Sequence, residues 1–221
     1  MSGAFAPARP EDPVLLVLDA DSTTLKCEVI ELLAAAAGAQ EYVARVTERA
    51  MRGELDFAAS LRERVSALAG LPVSVYEQVR AQVEPTDGAA ELFAAVHAAG
   101  GRVGIVSGGF HEVLDPIAAV LGADFWRANR LETADGVLTG RLYGPIVDAA
   151  AKASALLDWS AETGIPLSRA VAIGDGANDL EMMARAGLSI AFNAKPLVRE
   201  RADRIVEELD LRAVLPLLGL V

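Results

Sequence analysis

Val14-Leu15-Leu16-Val17-Leu18-Asp19-Ala20-Asp21-Ser22-Thr23 begins with five aliphatic residues and ends in two carboxylates and two hydroxyls. The aliphatic run does not alternate with polar residues, which is the pattern of a strand covered on both faces in a parallel sheet. Ligands of open α/β sheets bind beyond the carboxyl ends of the strands, and Asp19 and Asp21 fall at such an end. Two carboxylates at i and i+2 have room for different tasks: one to ligate a metal and attack phosphorus, the other to shuttle a proton. Taken alone, the same cluster reads equally well as a helix cap.

Working outward, Arg102–Val106, Ala170–Ile173 and Leu188–Phe192 are further buried-strand patterns, with weaker ones at Asp124–Ala128 and Arg204–Val206. Helical patterns lie between them at Gly88–Ala99, His111–Leu121 and Ala149–Glu162. This alternation predicts an α/β fold with a doubly wound parallel sheet. Glu28 to Gln82 breaks it with three or four helical patterns and no strand, too long for a crossover. The expected organisation is therefore a discontinuous core, residues 14–27 and 86–221, with an inserted helical-bundle cap at 28–85 and a flexible N-terminal segment at 1–13. Ala134-Asp135-Gly136, set between short alternating segments within Arg130–Tyr143, predicts a hairpin.

The chain has 221 residues, is 52% apolar and carries a net charge of −11, with mean hydropathy +0.32 and pI near 4.7. One sizeable core with a small insertion fits that length. The acidic balance argues against nucleic acid or an anionic membrane as partner. It also means that a phosphate site has to supply its own positive field. A lone cysteine, Cys27, no signal-peptide pattern and no long apolar run predict a cytoplasmic protein.

Three more motifs carry chemistry. Ser107-Gly108-Gly109 follows a strand and opens a helix, where a hydroxyl and unobstructed backbone N–H groups can approach an anion. A nucleophile elbow would need Gly where Ile105 stands. Gly174-Asp175-Gly176-Ala177-Asn178-Asp179 ends another strand. A dinucleotide fingerprint would need Gly where Asp179 stands, whereas carboxylates there suit a hard oxygen-seeking cation such as Mg²⁺. Lys152 opens an alanine-rich helix in a chain with three lysines against seventeen arginines. A point-like ammonium suits a phosphoryl oxygen. Together these supply a nucleophile with an acid/base, an anion cradle, a cation and a metal carboxylate.

Asp19-x-Asp21, Ser107, Lys152 and Gly174-Asp175-x-x-Asn178-Asp179 resemble the four ordered motifs of the haloacid dehalogenase superfamily. Glu28, Met51-Arg-Gly-Glu-Leu-Asp-Phe57, Ser60-Leu-Arg-Glu-Arg64-Val65, Ala128-Asn-Arg-Leu131 and Leu138-Thr-Gly140 extend the similarity to its phosphoserine phosphatase family, from about Val14 onward. The resemblance implies a haloacid dehalogenase-like Rossmannoid core and hydrolysis of O-phospho-L-serine through an aspartyl-phosphate, the last step of serine biosynthesis. It implies Asp19 as nucleophile, Asp21 as general acid/base, and Mg²⁺ held by Asp19, the Asp21 carbonyl and Asp175. Ser107, Gly108 and Lys152 would hold the phosphoryl group, Asn178 would contact substrate or nucleophile, and Asp179 would orient its neighbours. Glu28 and Arg64 would take the substrate's ammonium and carboxylate, with Phe57 beside them. The 57, 61, 64 spacing independently puts Phe57 and Arg64 on one helix face; Arg64 also fits an exposed helix charge paired with Glu63 or a neighbour.

Leu18 and Thr24 depart from the family pattern, which has Phe and an aliphatic residue there. No amino-acid-binding domain is expected ahead of the catalytic part, and the enzyme is expected to be a monomer or homodimer. The competing readings are a phosphotransferase or phosphatase for another small phosphomonoester, and a phospho-Asp signalling module. Asp21 argues against the latter, because an acid/base beside the nucleophile promotes turnover of the phosphoryl mark.

Overall fold

The computed structural model describes residues 5–220. Strand β1 (Leu15–Leu18) leads through a tight turn (Ala20–Thr24) into four helices: α1 (Val29–Ala36), α2 (Gln40–Met51), α3 (Phe57–Ser66) and α4 (Val75–Arg80). Next come α5 (Ala89–Ala98), β2 (Arg102–Phe110), α6 (His111–Leu121), β3 (Phe125–Ala134), β4 (Val137–Tyr143) and α7 (Ala149–Thr163). The chain finishes with β5 (Ala170–Gly174), α8 (Leu180–Met183), β6 (Leu188–Phe192), α9 (Pro196–Arg199), β7 (Arg204–Val206) and a 3₁₀ stretch, Leu211–Leu218, that the sequence pattern did not predict. No helix among the described residues is long and apolar enough to cross a membrane.

The strands form one sheet in the order β4-β3-β2-β1-β5-β6-β7. It is parallel apart from β4, which returns antiparallel to β3. The chain winds outward from β1 through β2 to β3, then crosses back to β5 and winds the other way. The order therefore reverses between β1 and β5, and their carboxyl ends frame the switch-point crevice. Leu16 and Leu18 enter one apolar layer with Phe93, Val96, Val113 and Val214. Leu15 and Val17 enter the opposite layer with Leu156, Trp159 and Met182. Successive side chains thus point to opposite, equally covered faces, so the strand sequence is apolar without a break. Trp159 lies so close to β2 that a Cβ on Gly104 would sit 2.6 Å from its ring.

Three details differ from the sequence expectation. Strand β2 runs on to Phe110 instead of ending at Val106. Val106 pairs with Arg127 and Phe110 with Asn129, so four steps on β2 face two on β3. Ser107-Gly108-Gly109 bulges out of the ladder, which is why its Ser-Gly-Gly composition looks like a turn. Second, β3 spans both the weak strand pattern and the first arm of the predicted hairpin, whose turn has Asp135 at φ 50° and Gly136 at φ 78°, as a two-residue primed turn requires. Third, the expected flexible leader is fastened over residues 5–12. The Arg169 guanidinium donates to the carbonyls of Ala6 (2.6 Å), Pro7 (3.2 Å) and Asp12 (2.7 Å) and lies 4.8 Å from the Phe5 ring centre. Residues 1–4 of that expected segment lie outside the described residues.

Between β1 and α5, the outgoing and returning chains run side by side. Lys26 N–H donates to Glu84 (2.9 Å), Thr86 N–H to Thr24 (2.8 Å) and Thr86 Oγ1 to Thr23 (2.7 Å). The connection between α3 and α4 also bonds to the hairpin, through Gly70 N–H to Leu138 O (2.8 Å), Leu138 N–H to Leu71 O (2.8 Å) and Val73 N–H to Gly136 O (3.0 Å).

Candidate active site

Asp19 follows β1, Ser107 lies in the β2 bulge and Asp175 follows β5. These three strands are adjacent, so the sheet brings three of the sequence motifs to one edge. Asp19 N–H donates to Ile173 O (2.9 Å), carrying the ladder one step beyond β1. The chain then turns sharply, with Ser22 at φ 58°, and Asp21 swings back over the bulge. A Cβ on Gly109 would sit 3.0 Å from both Asp21 Oδ2 and Ser107 Oγ, so any larger residue would crowd that approach.

Lys152 is fully buried and joins two carboxylates. Its Nζ lies 2.6 Å from Asp19 Oδ1 and 2.7 Å from Asp179 Oδ1. Asp148, whose side chain accepts from Ala151 N–H (2.9 Å), caps the helix that presents it. Burial pulls the lysine's pKa down, but Asp179 and Asp19 outweigh it and hold the pKa above the ordinary value. Asp179 Oδ2 accepts from Asp175 N–H (3.2 Å) and Gly176 N–H (3.0 Å). Asp179 therefore organises both the loop and the lysine.

The acidic groups crowd one another. Burial, then Asp179, raises the Asp19 pKa well above its ordinary value, while Lys152 works against the rise. Burial and then Glu28 push Asp21 up to about 7. Burial pushes Asp175 up to about 6, opposed by Lys195, whose Nζ is 3.6 Å from Asp175 Oδ2. Oxygens of Asp19, Asp175 and Asp179 lie within 4.8 Å of one another. Among the described residues, side-chain hydrogen bonds take both oxygens of Asp179 but leave Asp19 Oδ2 and Asp175 Oδ1 available. Buried carboxylates exceed buried ammonium groups here, and the donor set is all oxygen, so the cluster fits a hard cation.

The helical insertion closes over this edge. Asp56 caps α3 by accepting from Ala59 N–H (2.7 Å), which makes Phe57 the first helical residue. A Cβ on Gly108 would meet Phe57 Cζ at 3.0 Å and Asn178 Nδ2 at 4.0 Å, so cap ring and loop amide both face the bulge. Arg64, two turns on, is mostly buried; burial lowers its pKa while Glu28, Asp21 and Glu31 work against that. Among the described residues its guanidinium makes one hydrogen bond, Nε to Ser60 O at 3.4 Å. The pairing with Glu63 does not occur, because Glu63 accepts from Arg49 (2.6 Å) and Tyr42 (3.2 Å). Glu28 stands at the start of α1 without capping it and accepts from Ser22 Oγ instead (2.7 Å). The Glu28 carboxylate, at the start of α1, and the sparsely bonded Arg64 guanidinium of α3 are thus near enough to sense each other's charge.

The chain matches the family described as haloacid dehalogenase-like hydrolase over residues 16–184. It is 52% identical over 204 residues to the phosphoserine phosphatase of Streptococcus thermophilus, covering 92% of this chain and 95% of that one. The chain belongs to the phosphoserine phosphatase family of the haloacid dehalogenase-like hydrolases. Phosphoserine phosphatase SerB2 of Mycobacterium tuberculosis is 53% identical over 205 residues; these are 93% of this chain but 50% of that protein, so this chain spans about half its length. A solved structure described as a phospho-aspartyl intermediate analogue of phosphoserine phosphatase superposes with a TM-score of 0.87 at 42% identity, covering 93% of this chain and 98% of the other.

This haloacid dehalogenase-like site also holds residues to which the sequence reading gave no role. Thr24, a departure from the family pattern, donates its hydroxyl to Asp19 O (2.6 Å) and so braces the turn after Asp19. Lys195 comes from the loop after β6, and its position was the only clue to it: this loop too begins at a strand's carboxyl end. Asn129 lay inside a quoted family motif, but nothing in the sequence tied it to the bulge. Leu18, the other departure, is fully buried in the core.

Proposed function

We propose that this chain hydrolyses O-phospho-L-serine to L-serine and phosphate through an aspartyl-phosphate on Asp19. Family membership supports the reaction. One observation carries the substrate: Arg64, mostly buried, has no carboxylate bonded to it among the described residues and lies in the field of Glu28. A zwitterionic amino acid offers the carboxylate and the ammonium that such a pair would bind.

In this reading a substrate lies between cap and sheet with its phosphate at Ser107, Gly108 and Lys152, and Phe57 lies against its carbon chain. Asn178, beside the bulge, contacts the substrate or the nucleophile. Asp19 attacks phosphorus in line, and the protonated Asp21 delivers its proton to the departing serine oxygen. A carboxyl held near neutrality by burial and Glu28 can give a proton and take it back. Asp21 then removes a proton from the water that opens the aspartyl-phosphate. Lys152 offsets charge on the equatorial oxygens and keeps Asp19 from being repelled by Asp179. Asp19, the backbone carbonyl of Asp21 and Asp175 would hold Mg²⁺. When bound, it would supply charge neutralisation for the nucleophile and phosphate. Residues 28–85 act as the lid over residues 14–27 and 86–221. The lone Cys27 suits a reducing cytoplasm, and the proposed assembly is a monomer or homodimer.

Phosphate release from phosphoserine, set against a panel of other small phosphomonoesters with Mg²⁺ and with chelator, tests this. Phosphoserine should lead the panel, and chelator and Asp19→Asn should each abolish release. Full activity of Asp19→Asn would sink the nucleophile assignment, and equal rates across the panel would sink the substrate.

A further inference from the structure

Displacing Ser107, Gly108 and Gly109 from the β2–β3 ladder leaves their peptide groups needing other partners. The Gly108–Gly109 peptide finds one at each end. Its N–H donates to Ser107 Oγ (2.8 Å), and its carbonyl accepts from Asn129 Nδ2 (2.8 Å). Asn129 is 1% exposed and stands on β3 directly opposite Phe110, where the ladder resumes. Its other amide atom, Oδ1, accepts from Val147 N–H (2.8 Å). Val147 adjoins Asp148, the cap of the helix that carries Lys152. One buried amide therefore spans the bulge of the anion cradle and the approach to the helix that presents its lysine. The bond to Val147 is buried and the one to Gly108 partly so, and losing either leaves a peptide group short of a partner.

We propose that Asn129 is a positioning residue for phosphoryl transfer: it fixes the Gly108–Gly109 peptide and registers the Ser107–Gly108 cradle against Lys152, without touching substrate. The proposal rests on reading this site as a phosphoryl-transfer site but not on phosphoserine as the substrate. Removing the amide leaves the carboxylates and the amino-acid end of the crevice in place and loosens the phosphate end. Its effect therefore belongs in kcat and in phosphate affinity rather than in serine affinity.

The test uses Asn129→Ala and Asn129→Asp with Mg²⁺ present. Turnover is measured on phosphoserine and p-nitrophenyl phosphate, and inhibition by inorganic phosphate and by L-serine. Asn129→Ala should lose about ten- to hundredfold in kcat on either substrate and bind phosphate about tenfold more weakly, with serine inhibition unchanged. Asn129→Asp keeps the acceptor for Val147 N–H and can donate to the Gly108 carbonyl only when protonated. Its activity relative to wild type should therefore climb as pH falls from 8 to 5.5, a signature that a fold defect would not give. Wild-type kcat and phosphate affinity in Asn129→Ala, or, should that variant not fold, a pH-flat ratio in Asn129→Asp, would overturn the proposal. If wild-type protein cleaves p-nitrophenyl phosphate but ignores phosphoserine, the substrate reading fails while the Asn129 comparison still decides on p-nitrophenyl phosphate.

Discussion

Asp19, Asp21 and Asp175 share one crevice, and each is held above the ordinary carboxylate range, Asp21 to about 7 and Asp175 to about 6. A carboxyl whose pKa is higher in the fold than in the unfolded chain binds more protons when folded. Its contribution to stability therefore falls as pH rises from about 4, the unfolded value, through the folded one. A cation that binds the ionised groups opposes this loss. The rise in Tm on adding Mg²⁺ should accordingly be larger at pH 7.5 than at pH 5, and a scanning calorimeter with and without chelator would show it. At the other end of the crevice, Arg64→Ala should cut kcat/KM for phosphoserine by about a hundredfold or more, the scale of a lost charge-assisted pair. Activity on small aryl phosphates should suffer far less; equal losses on both would remove Arg64 from substrate binding. The sequence shows its strand-end acids because each follows an apolar run. It gives no such signal for Thr24 or Asn129, whose roles depend on backbone groups that only the folded chain brings near them.

At the scale of elements, the sequence shows where strands begin better than where they end. The Ser-Gly-Gly of β2 looks like a stop, yet the strand resumes at Phe110 because Asn129 waits opposite it. The hairpin was legible from Asp135-Gly136, but its attachment to the helical insertion was not, since those bonds join the backbone at Gly70, Leu71 and Val73 to Leu138 and Gly136. Gly140 lies in that contact. It has φ 78°, and a Cβ there would sit 2.9 Å from Ala69 Cβ and 3.1 Å from Ser66 O. Gly140→Val should therefore cost about 2–3 kcal/mol in chemical denaturation. It should also raise KM for phosphoserine, since β4 and α3, which carries Arg64, are pressed together there.

At the scale of the whole molecule, Arg169 is a polar clasp, buried at the end opposite the crevice and holding residues 5–12 in place. Arg169→Ala removes the guanidinium from three carbonyls, of which, among the described residues, only that of Asp12 keeps another backbone donor, Arg9 N–H, and should lower stability by about 1–3 kcal/mol in urea. Arg169→Lys should recover only part of that loss, because an ammonium lacks the planar fork. Neither change should alter kcat of the folded protein.

The central strand has a further consequence, for the order in which the molecule can be made. Strand β1 comes off the ribosome before the other strands of this sheet, yet its two neighbours begin only at Arg102 and Ala170. Its aliphatic run must wait without a ladder partner while the helical insertion is synthesised, and one of its edges stays open until β5 appears. Ordering the strand end that carries Asp19 is thus a late event in the life of a nascent chain. A chain stalled ahead of Ala170 would expose a sticky, half-paired strand and carry no phosphatase at all.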